Sequence, residues 1–213
     1  CREMIFGVVI TKNKDEIVSS TPIENYKPFL EGKDIGRYLI KPIHQYLNYN
    51  PKLLHRARSK EVFESNEKLL VQRITGGKKP LKVAYDNNRY YNKESLNNII
   101  LKDESKFSAR FIICLLNSSL INWYYNNQFT NGSTLTVNIS KEYLSKIPIA
   151  KTNSQNNFIK KADKMIQNTE TLFSYSKKFC RYIESNFDSI SCSNKIIMFY
   201  ELEFIEFIKE LNK

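Results

Sequence analysis

The sequence is poor in the residues that reactive sites are most often built from. Its 213 residues include two histidines, His44 and His55, and neither has a cysteine or carboxylate at metal-ligand spacing. The four cysteines, Cys1, Cys114, Cys180 and Cys192, form no CxxC pair. That spread argues against a zinc site or a disulfide framework and points to free thiols in a reducing cytoplasm. No run approaches the ~20 apolar residues that a membrane-spanning helix requires, and no charged-then-apolar leader is visible. Phosphate-cradling GxGxxG and GxxxxGK[ST] loops are missing, as is a GxSxG nucleophile elbow. The sequence thus shows no catalytic residue, no metal ligand set and no cofactor site of its own. Cys1 opens the text just ahead of the apolar run Met4–Ile10, which reads as the interior of a longer chain.

Core-forming residues and positive charge are both plentiful. Apolar residues make up 41% of the chain, enough to build a real core, and the formal net charge is +11. The charge is unevenly spread. Residues 1–150 carry 23 basic against 14 acidic side chains, net +9, whereas residues 151–213 carry 10 against 8, net +2. A concentrated basic surplus suits a polyanionic partner; a lysine-rich composition with no such partner reads equally well from composition alone. The densest stretch is 52–93, with eleven basic residues opposed by Glu61, Glu64, Glu67 and Asp86. Within it Arg56, Arg58, Lys60, Arg73, Lys78, Lys79, Lys82 and Arg89, with Tyr90 among them, are candidates for phosphate and base contacts. A solvated basic face is the plainer alternative. Asn131, Ser133 and Thr134, in a polar loop, are weaker candidates of the same kind. Carboxylates beside lysines, at Glu31 and at Glu67, leave open a metal-dependent nuclease.

Hydrophobic spacing predicts a mixed α/β (α+β) fold: a small twisted sheet with packed helices over 1–150, then a helical pair over 151–213. Strands are expected at 5–10 and 17–18. A helix is expected from 52 to about 64, with Pro51 at its start. Leu69–Ile74 and Leu81–Tyr85 form a hairpin around Thr75–Pro80, and Asn98–Leu101 a further strand. A single helix spans 108–126, and Leu135–Ile139 is a β-branched strand followed by a helical turn capped by Ser140. Beyond a polar linker, Phe158, Ala162, Met165, Thr169, Leu172, Ser176, Phe179 and Ile183 lie on a heptad seam. A second helix over 195–211 is expected to pair with it antiparallel.

Five blocks of text, in order, resemble the TaqI-like C-terminal specificity domain. Lys27-Pro28-Phe29-Leu30-Glu31-Gly32-Lys33-Asp34-Ile35-Gly36-Arg37-Tyr38 is similar to the family's "GkdI-x-rY" block. Lys68–Ile74 resembles the "K-ll-x-R" strand. Ala84-Tyr85-Asp86 with Tyr90-Tyr91-Asn92 resembles the next strand pair, Leu115–Leu120 the "LLNSkl" helix, and Leu144–Ile149 the "L-x-x-iPi" exit. The tail, around Phe199–Leu202 and Phe204–Phe207, is similar to helical ends of type IIG restriction-modification proteins. The resemblance implies a target-recognition domain that reads double-stranded DNA in the bacterial cytoplasm for an N6-adenine methyltransferase. In such proteins the methyltransferase lies in the same chain and uses S-adenosylmethionine, and where an endonuclease is fused, Mg2+ is also implied. This sequence lacks the methyltransferase motifs; Asn50-Pro51-Lys52-Leu53 is the nearest text and has no second proline or aromatic. The expectation is therefore a binding module, not an enzyme in itself, with catalysis supplied elsewhere. Half of a type I specificity subunit, with separate methyltransferase subunits, and a stand-alone nuclease remain as rivals, as does an interaction module built on the heptad seam.

Overall fold

A computed structural model describes residues 1–11, 14–130, 135–152, 154–187 and 191–212. In chain order the elements begin with β1 (Glu3–Phe6), α1 (Lys14–Ile17), β2 (Val18–Ser19), β3 (Lys27–Leu30), β4 (Ile35–Gly36), β5 (Leu39–Ile40) and β6 (Tyr46–Leu47). There follow α2 (Lys60–Phe63), β7 (Lys68–Gln72), β8 (Ile74–Thr75), β9 (Val83–Asp86), β10 (Tyr91–Asn92) and β11 (Leu96–Ile100). The remainder is helical apart from one strand: α3 (Ala109–Leu116), α4 (Ser119–Phe129), β12 (Val137–Asn138), α5 (Lys141–Ser145), α6 (Asn156–Asn186), α7 (Asn194–Ile197) and α8 (Phe204–Leu211). This is the mixed α/β class that the spacing predicts. The chain forms two compact units, Cys1–Met165 and Ile166–Lys213.

The first unit is built on an antiparallel sheet in the order β1-β11-β7-β9. Its central strands are covered on both faces, which is why Leu69, Leu70 and Val71 form an unbroken apolar run with no solvent exposure. β11 is buried along its whole length although it carries Asn97 and Asn98. Their amide nitrogens find partners across the fold, Asn97 donating to the Ile139 carbonyl (3.0 Å) and Asn98 to that of Ile5 (3.2 Å). A second sheet, β10-β3-β6-β2, has β10 parallel to β3. Val8, Ile17, Phe29, Leu47, Val62, Phe63 and Tyr91 form a core cluster, in which the Phe63 and Tyr91 rings stack at 4.5 Å. The β1 end reaches this sheet through Gly7. A Cβ there would stand 1.9 Å from the Asn92 carbonyl oxygen, so only glycine allows the approach.

Several elements differ from the sequence-based expectation, each for a local reason. The helix expected over 52–64 is reduced to a 3-10 turn at Pro51–Leu53 and, further on, α2. Upstream of α2 the backbone bridges to Val9 instead: Val9 N donates to the Arg56 carbonyl and His55 N to that of Val9. The helix expected over 108–126 is two helices. Ser118 breaks it by adopting an extended backbone and capping α4, its hydroxyl accepting the Ile121 N–H at 3.1 Å. The expected strand Leu69–Ile74 changes partner at Arg73. That residue donates its N–H to Ser95, and its carbonyl accepts from Ile139 at 2.7 Å, so β8 pairs with β12 while β7 stays with β9 and β11. The region before β2 holds α1 where only strand and turn were expected.

The helical region also differs in detail. α6 buries Ala162, Phe173, Ser176, Cys180 and Ile183, with Ile166 and Thr169 half-buried, while Met165 and Leu172 are 42% and 38% exposed. The seam therefore keeps every second expected position and moves the alternates one residue on. Past α6 the expected single helix is interrupted: Ser193 caps α7, and Glu203 opens α8 through a capping box with Glu206. Within the second unit Phe179 meets Phe199 (4.6 Å) and Phe207 (6.2 Å).

At the far end of the β7–β9 ladder lies a fully buried ion pair. Lys68 Nζ is 2.6 Å from Asp86 Oδ2, and neither side chain touches solvent. The same ammonium donates to the Phe63 carbonyl at 2.6 Å. Burial pushes the Lys68 amine below its ordinary value, against the pull of Asp86. Lys68, read from sequence as part of a basic face, is instead an interior group. Removing one partner strands the other charge, so Lys68→Met and Asp86→Asn should each lower unfolding free energy by about 3–5 kcal/mol. In a denaturant double-mutant cycle the pair should cost clearly less than the sum of the singles; additivity would refute the coupling.

Candidate nucleic-acid interface

Of the candidate residues, Lys78, Lys79 and Lys82 are mounted on the hairpin end remote from Lys68. Between β8 and β9 the chain turns through Gly77, at φ +82°, where a side chain would be strained. Lys78 and Lys79 follow it and are exposed; Lys82 is half-buried. The turn is held from behind by the break between α3 and α4. Asn117 spans Val83 completely, its Oδ1 accepting the Val83 N–H (3.2 Å) and its Nδ2 donating to the Val83 carbonyl (2.9 Å). Asn122 Oδ1 accepts the Leu81 N–H at 2.8 Å, and Asn126 Nδ2 donates to the Lys78 carbonyl at 2.8 Å. Asn117 and Asn122 are buried. Three helix asparagines thus fix the backbone on which the two lysines stand.

Beside this turn, β8 pairs with β12 in the register Thr75↔Val137 and Ile74↔Asn138. The pairing carries exposed Leu135 and Thr136 toward the same end as the lysine turn. Asn131, Ser133 and Thr134 lie outside the described residues.

Two arginines meet at Phe6. The Arg58 guanidinium lies 4.2 Å and that of Arg73 5.0 Å from its ring centroid. Arg58 Nε donates to the Phe6 carbonyl (3.0 Å) and Arg73 Nη1 to that of Glu94 (2.8 Å). Each uses one N–H of its fork on the backbone. Burial draws Arg58 below its ordinary value, and Arg56 adds to this. Arg56 and Lys60 are exposed nearby in sequence, Lys60 lying 6.0 Å from the Tyr49 ring centroid. Arg89 and Tyr90 sit elsewhere. They follow Asp86 at the opposite end of the ladder, where Arg89 adopts φ +61° and donates to Asn66 Oδ1 at 2.8 Å. The structure therefore gathers Lys78, Lys79 and Lys82 on one turn, ties Arg58 to Arg73 through Phe6, and leaves Arg89 and Tyr90 apart from that turn.

The carboxylates considered for a nuclease are engaged by cations and a phenol. Glu67 accepts from the Tyr85 hydroxyl (2.8 Å) and lies 3.9 Å from Arg110. Burial, reinforced by Glu67, pushes the Tyr85 phenol up to about 12. Glu31 is met by Lys14 (3.0 Å), Lys33 (3.5 Å) and Lys93 (3.5 Å). Burial alone would raise its pKa, but the Lys14 hydrogen bond and the three positive charges outweigh it and hold the carboxyl below its ordinary value. Among the described residues no three His, Cys, Asp or Glu side chains converge as a metal site. His44 Nε2 lies 3.7 Å from Asp34 Oδ1, and His55 is exposed. No helix among the described residues is long and apolar enough to cross a membrane.

Sequence reasoning passed over Asn117, Asn122 and the Glu31 lysines. The asparagines lie inside the "LLNSkl" block and just beyond it, and a polar residue recurring on the buried side of a helix was the available signal.

A family model for the TaqI-like C-terminal specificity domain matches residues 27–149, and one described as a domain of unknown function (DUF8810) matches 151–213. No curated protein matches by sequence. Among solved structures, the chain is similar to the type IIL restriction-modification enzyme MmeI, solved in complex with DNA, with a TM-score of 0.51 at 10% identity. The likeness covers 98% of this chain and 31% of MmeI, so the chain spans about a third of that enzyme's length.

Truncating the asparagine clamp should loosen the turn. Asn117→Ala and Asn122→Ala each leave buried backbone groups unpaired, at a cost of about 1–3 kcal/mol. Amide exchange at Val83 and Leu81 should accelerate in the respective variants. Unchanged exchange at both would show that the clamp is not what holds the turn.

Proposed function

The chain belongs to the TaqI-like C-terminal specificity domain family, and on that basis we propose that it reads double-stranded DNA for a restriction-modification enzyme. The observation that carries this reading is the Lys78–Lys79 turn, exposed at its tip and clamped by Asn117, Asn122 and Asn126 behind it. A turn so held presents cationic side chains in a fixed place, which is what phosphate contacts need in order to set register on a duplex. Lys78 and Lys79 neutralise phosphates, with Lys82 at the root of the turn and Arg56 and Lys60 as further contacts. Arg58 and Arg73 keep the unused donors of their forks for acceptors on base edges or phosphates. Arg89 and Tyr90, at the other end of the ladder, serve as an outlying contact. Asn131, Ser133 and Thr134 precede the strand paired with β8 and stand as base-reading candidates.

In this reading the chain chooses a site and another part of the enzyme acts on it. An adenine-N6 methyltransferase using S-adenosylmethionine, in the same protein or in a separate subunit, supplies the reaction, and Mg2+ enters where an endonuclease is joined to it. The setting is the bacterial cytoplasm. The helical segment over 151–213 serves as a spacer or docking segment toward the catalytic part.

The affinity of the 213-residue chain for duplex DNA should fall steeply with salt. Lys78→Ala/Lys79→Ala should weaken binding to all sequences alike and make the log–log salt slope shallower by about two. Arg89→Ala, made alongside, should change the slope by about one at most. Failure of the wild-type chain to bind duplex DNA at low ionic strength would overturn the proposal.

A further inference from the structure

Outside the hairpin end, a second concentration of charge stands at Glu31. Three ammonium groups from three separate segments converge on it: Lys14 from α1, Lys33 from the 3-10 turn Gly32–Asp34, and Lys93 from just past β10. Lys14 and Lys93 share Oε1, and Lys33 takes Oε2. One carboxylate needs one lysine for neutrality, so these four side chains sum to +2; at their margin the Asp34 carboxylate, on the Glu31 N–H, and the Lys41 ammonium, on the Lys33 carbonyl (2.7 Å), offset each other in charge. The layering has a direction. Glu31 is 13% exposed, whereas Lys33 and Lys14 are 63% and 48% exposed and Lys93 is 25% exposed. The acid therefore lies beneath and the cations face outward.

The support under Glu31 is stiff. Its N–H donates to Asp34 Oδ2 (2.7 Å), and the Gly32 N–H donates to Ser95 Oγ (2.8 Å). Gly32 is pressed against β7 and Ser95: a Cβ there would stand 3.2 Å from the Ser95 carbonyl oxygen and 3.5 Å from Gln72 Cγ. Glu31, Lys33 and Lys93 line an open cavity of about 240 Å³ together with Gln72, Ile74 and Ser95. Ile74 opens β8, the strand that leads to the Lys78–Lys79 turn. The cavity and that turn are thus joined by one short stretch of chain.

We propose that the Lys14–Lys33–Lys93 cluster is a second phosphodiester-binding site for duplex DNA, in which Glu31 gathers the lysines and keeps them poised in the free protein. A surplus of two cations held outward by a recessed acid has an unmet need for anions, which a purely structural ion pair lacks. A phosphate seated between the ammonium groups supplies the missing charge and releases condensed counterions from the duplex. Gln72 and Ile74, on the cavity wall, then lie beside the bound strand.

The inference rests on the reading of this chain as a DNA-binding module, and the test separates the two. Binding of the 213-residue chain to duplex DNA is measured against salt for wild type, Lys14→Gln/Lys33→Gln/Lys93→Gln and Glu31→Gln. The triple variant should make the slope shallower by about two, the charge the cluster loses to phosphate. Glu31→Gln removes the group that gathers the lysines, so its slope should move toward that of the triple variant. Retention of the wild-type slope by the triple variant, with wild type binding normally, would overturn this site and leave the Lys78–Lys79 reading intact. Absence of binding by wild type would overturn both. If circular dichroism shows the triple variant unfolded, Lys33→Gln alone decides. Its exposed side chain pairs with Glu31, and an unchanged slope in that variant refutes the site.

Discussion

The buried Lys68–Asp86 pair constrains more of this fold than any other contact. It joins the first residue of β7 to the last of β9, and its surplus hydrogen-bonding capacity reaches two further segments. The ammonium donates a second hydrogen bond to the carbonyl of Phe63, which ends α2. The carboxylate takes the Asn88 and Tyr90 N–H groups (2.8 and 3.1 Å), which shapes the turn into β10. One ion pair thereby fixes the junction of a helix, two strands and a turn. Two charges out of water are tolerated only when their remaining donors and lone pairs are used in this way. A shift of β7 against β9 by one residue would part the charges and turn both strands over, so the pair also sets register.

What is locked at one end of the ladder is presented at the other. With register fixed at Lys68, the strands deliver Gln72, Arg73 and the Gly77 turn to a defined place, and the asparagines of α3 and α4 hold them there. Arg73 is the pivot. Its backbone bonds to Ser95 and Ile139 end one sheet and begin the β8–β12 ladder, while its side chain shares Phe6 with Arg58. A recognition surface benefits from this division of labour. Side chains that contact a ligand can stay exposed and polar because the rigidity comes from buried groups behind them.

Much of this was legible in the sequence, and what was not has physical causes. The hairpin was readable, and so was its consequence for Lys68. An antiparallel pairing centred on Gly77 sets Lys68 opposite Asp86, nine residues to either side. Reading Lys68 as surface followed from charge alone, although Leu69, Leu70 and Val71 beside it mark a strand buried on both faces. The helix expected over 52–64 failed because pairing with Val9 outcompetes a weak local propensity. The break at Asn117-Ser118 lay in plain text as a capping serine, but the apolar 3.6 period ran through it unbroken. On α6 the heptad was visible, yet spacing could not decide between Leu172 and Phe173. The site was half legible: the lysine turn follows from Gly77 and composition, whereas the Glu31 cluster joins residues 14, 31, 33 and 93, which only the tertiary fold brings together.

Counting charges along the chain overstates what a polyanion would meet. Of the basic residues, Lys68 is cancelled inside the core and Arg110 is held by Asp163 at 2.6 Å. Lys146 pairs with Glu142 and Lys195 with Glu210 at the surface. These contribute to the net +11 but little to a directed field. Among the exposed cations not so paired are Lys78 and Lys79 on their turn, with Arg56 and Lys60, and the excess around Glu31 adds to them. Such points act over roughly a Debye length, ~8–10 Å at physiological salt, so their spacing matters more than their sum. A diffuse excess would bind any duplex in any register. A few cationic points on clamped backbone restrict the registers in which all can be satisfied at once, and that restriction is the first step by which a surface with non-specific affinity becomes able to read sequence.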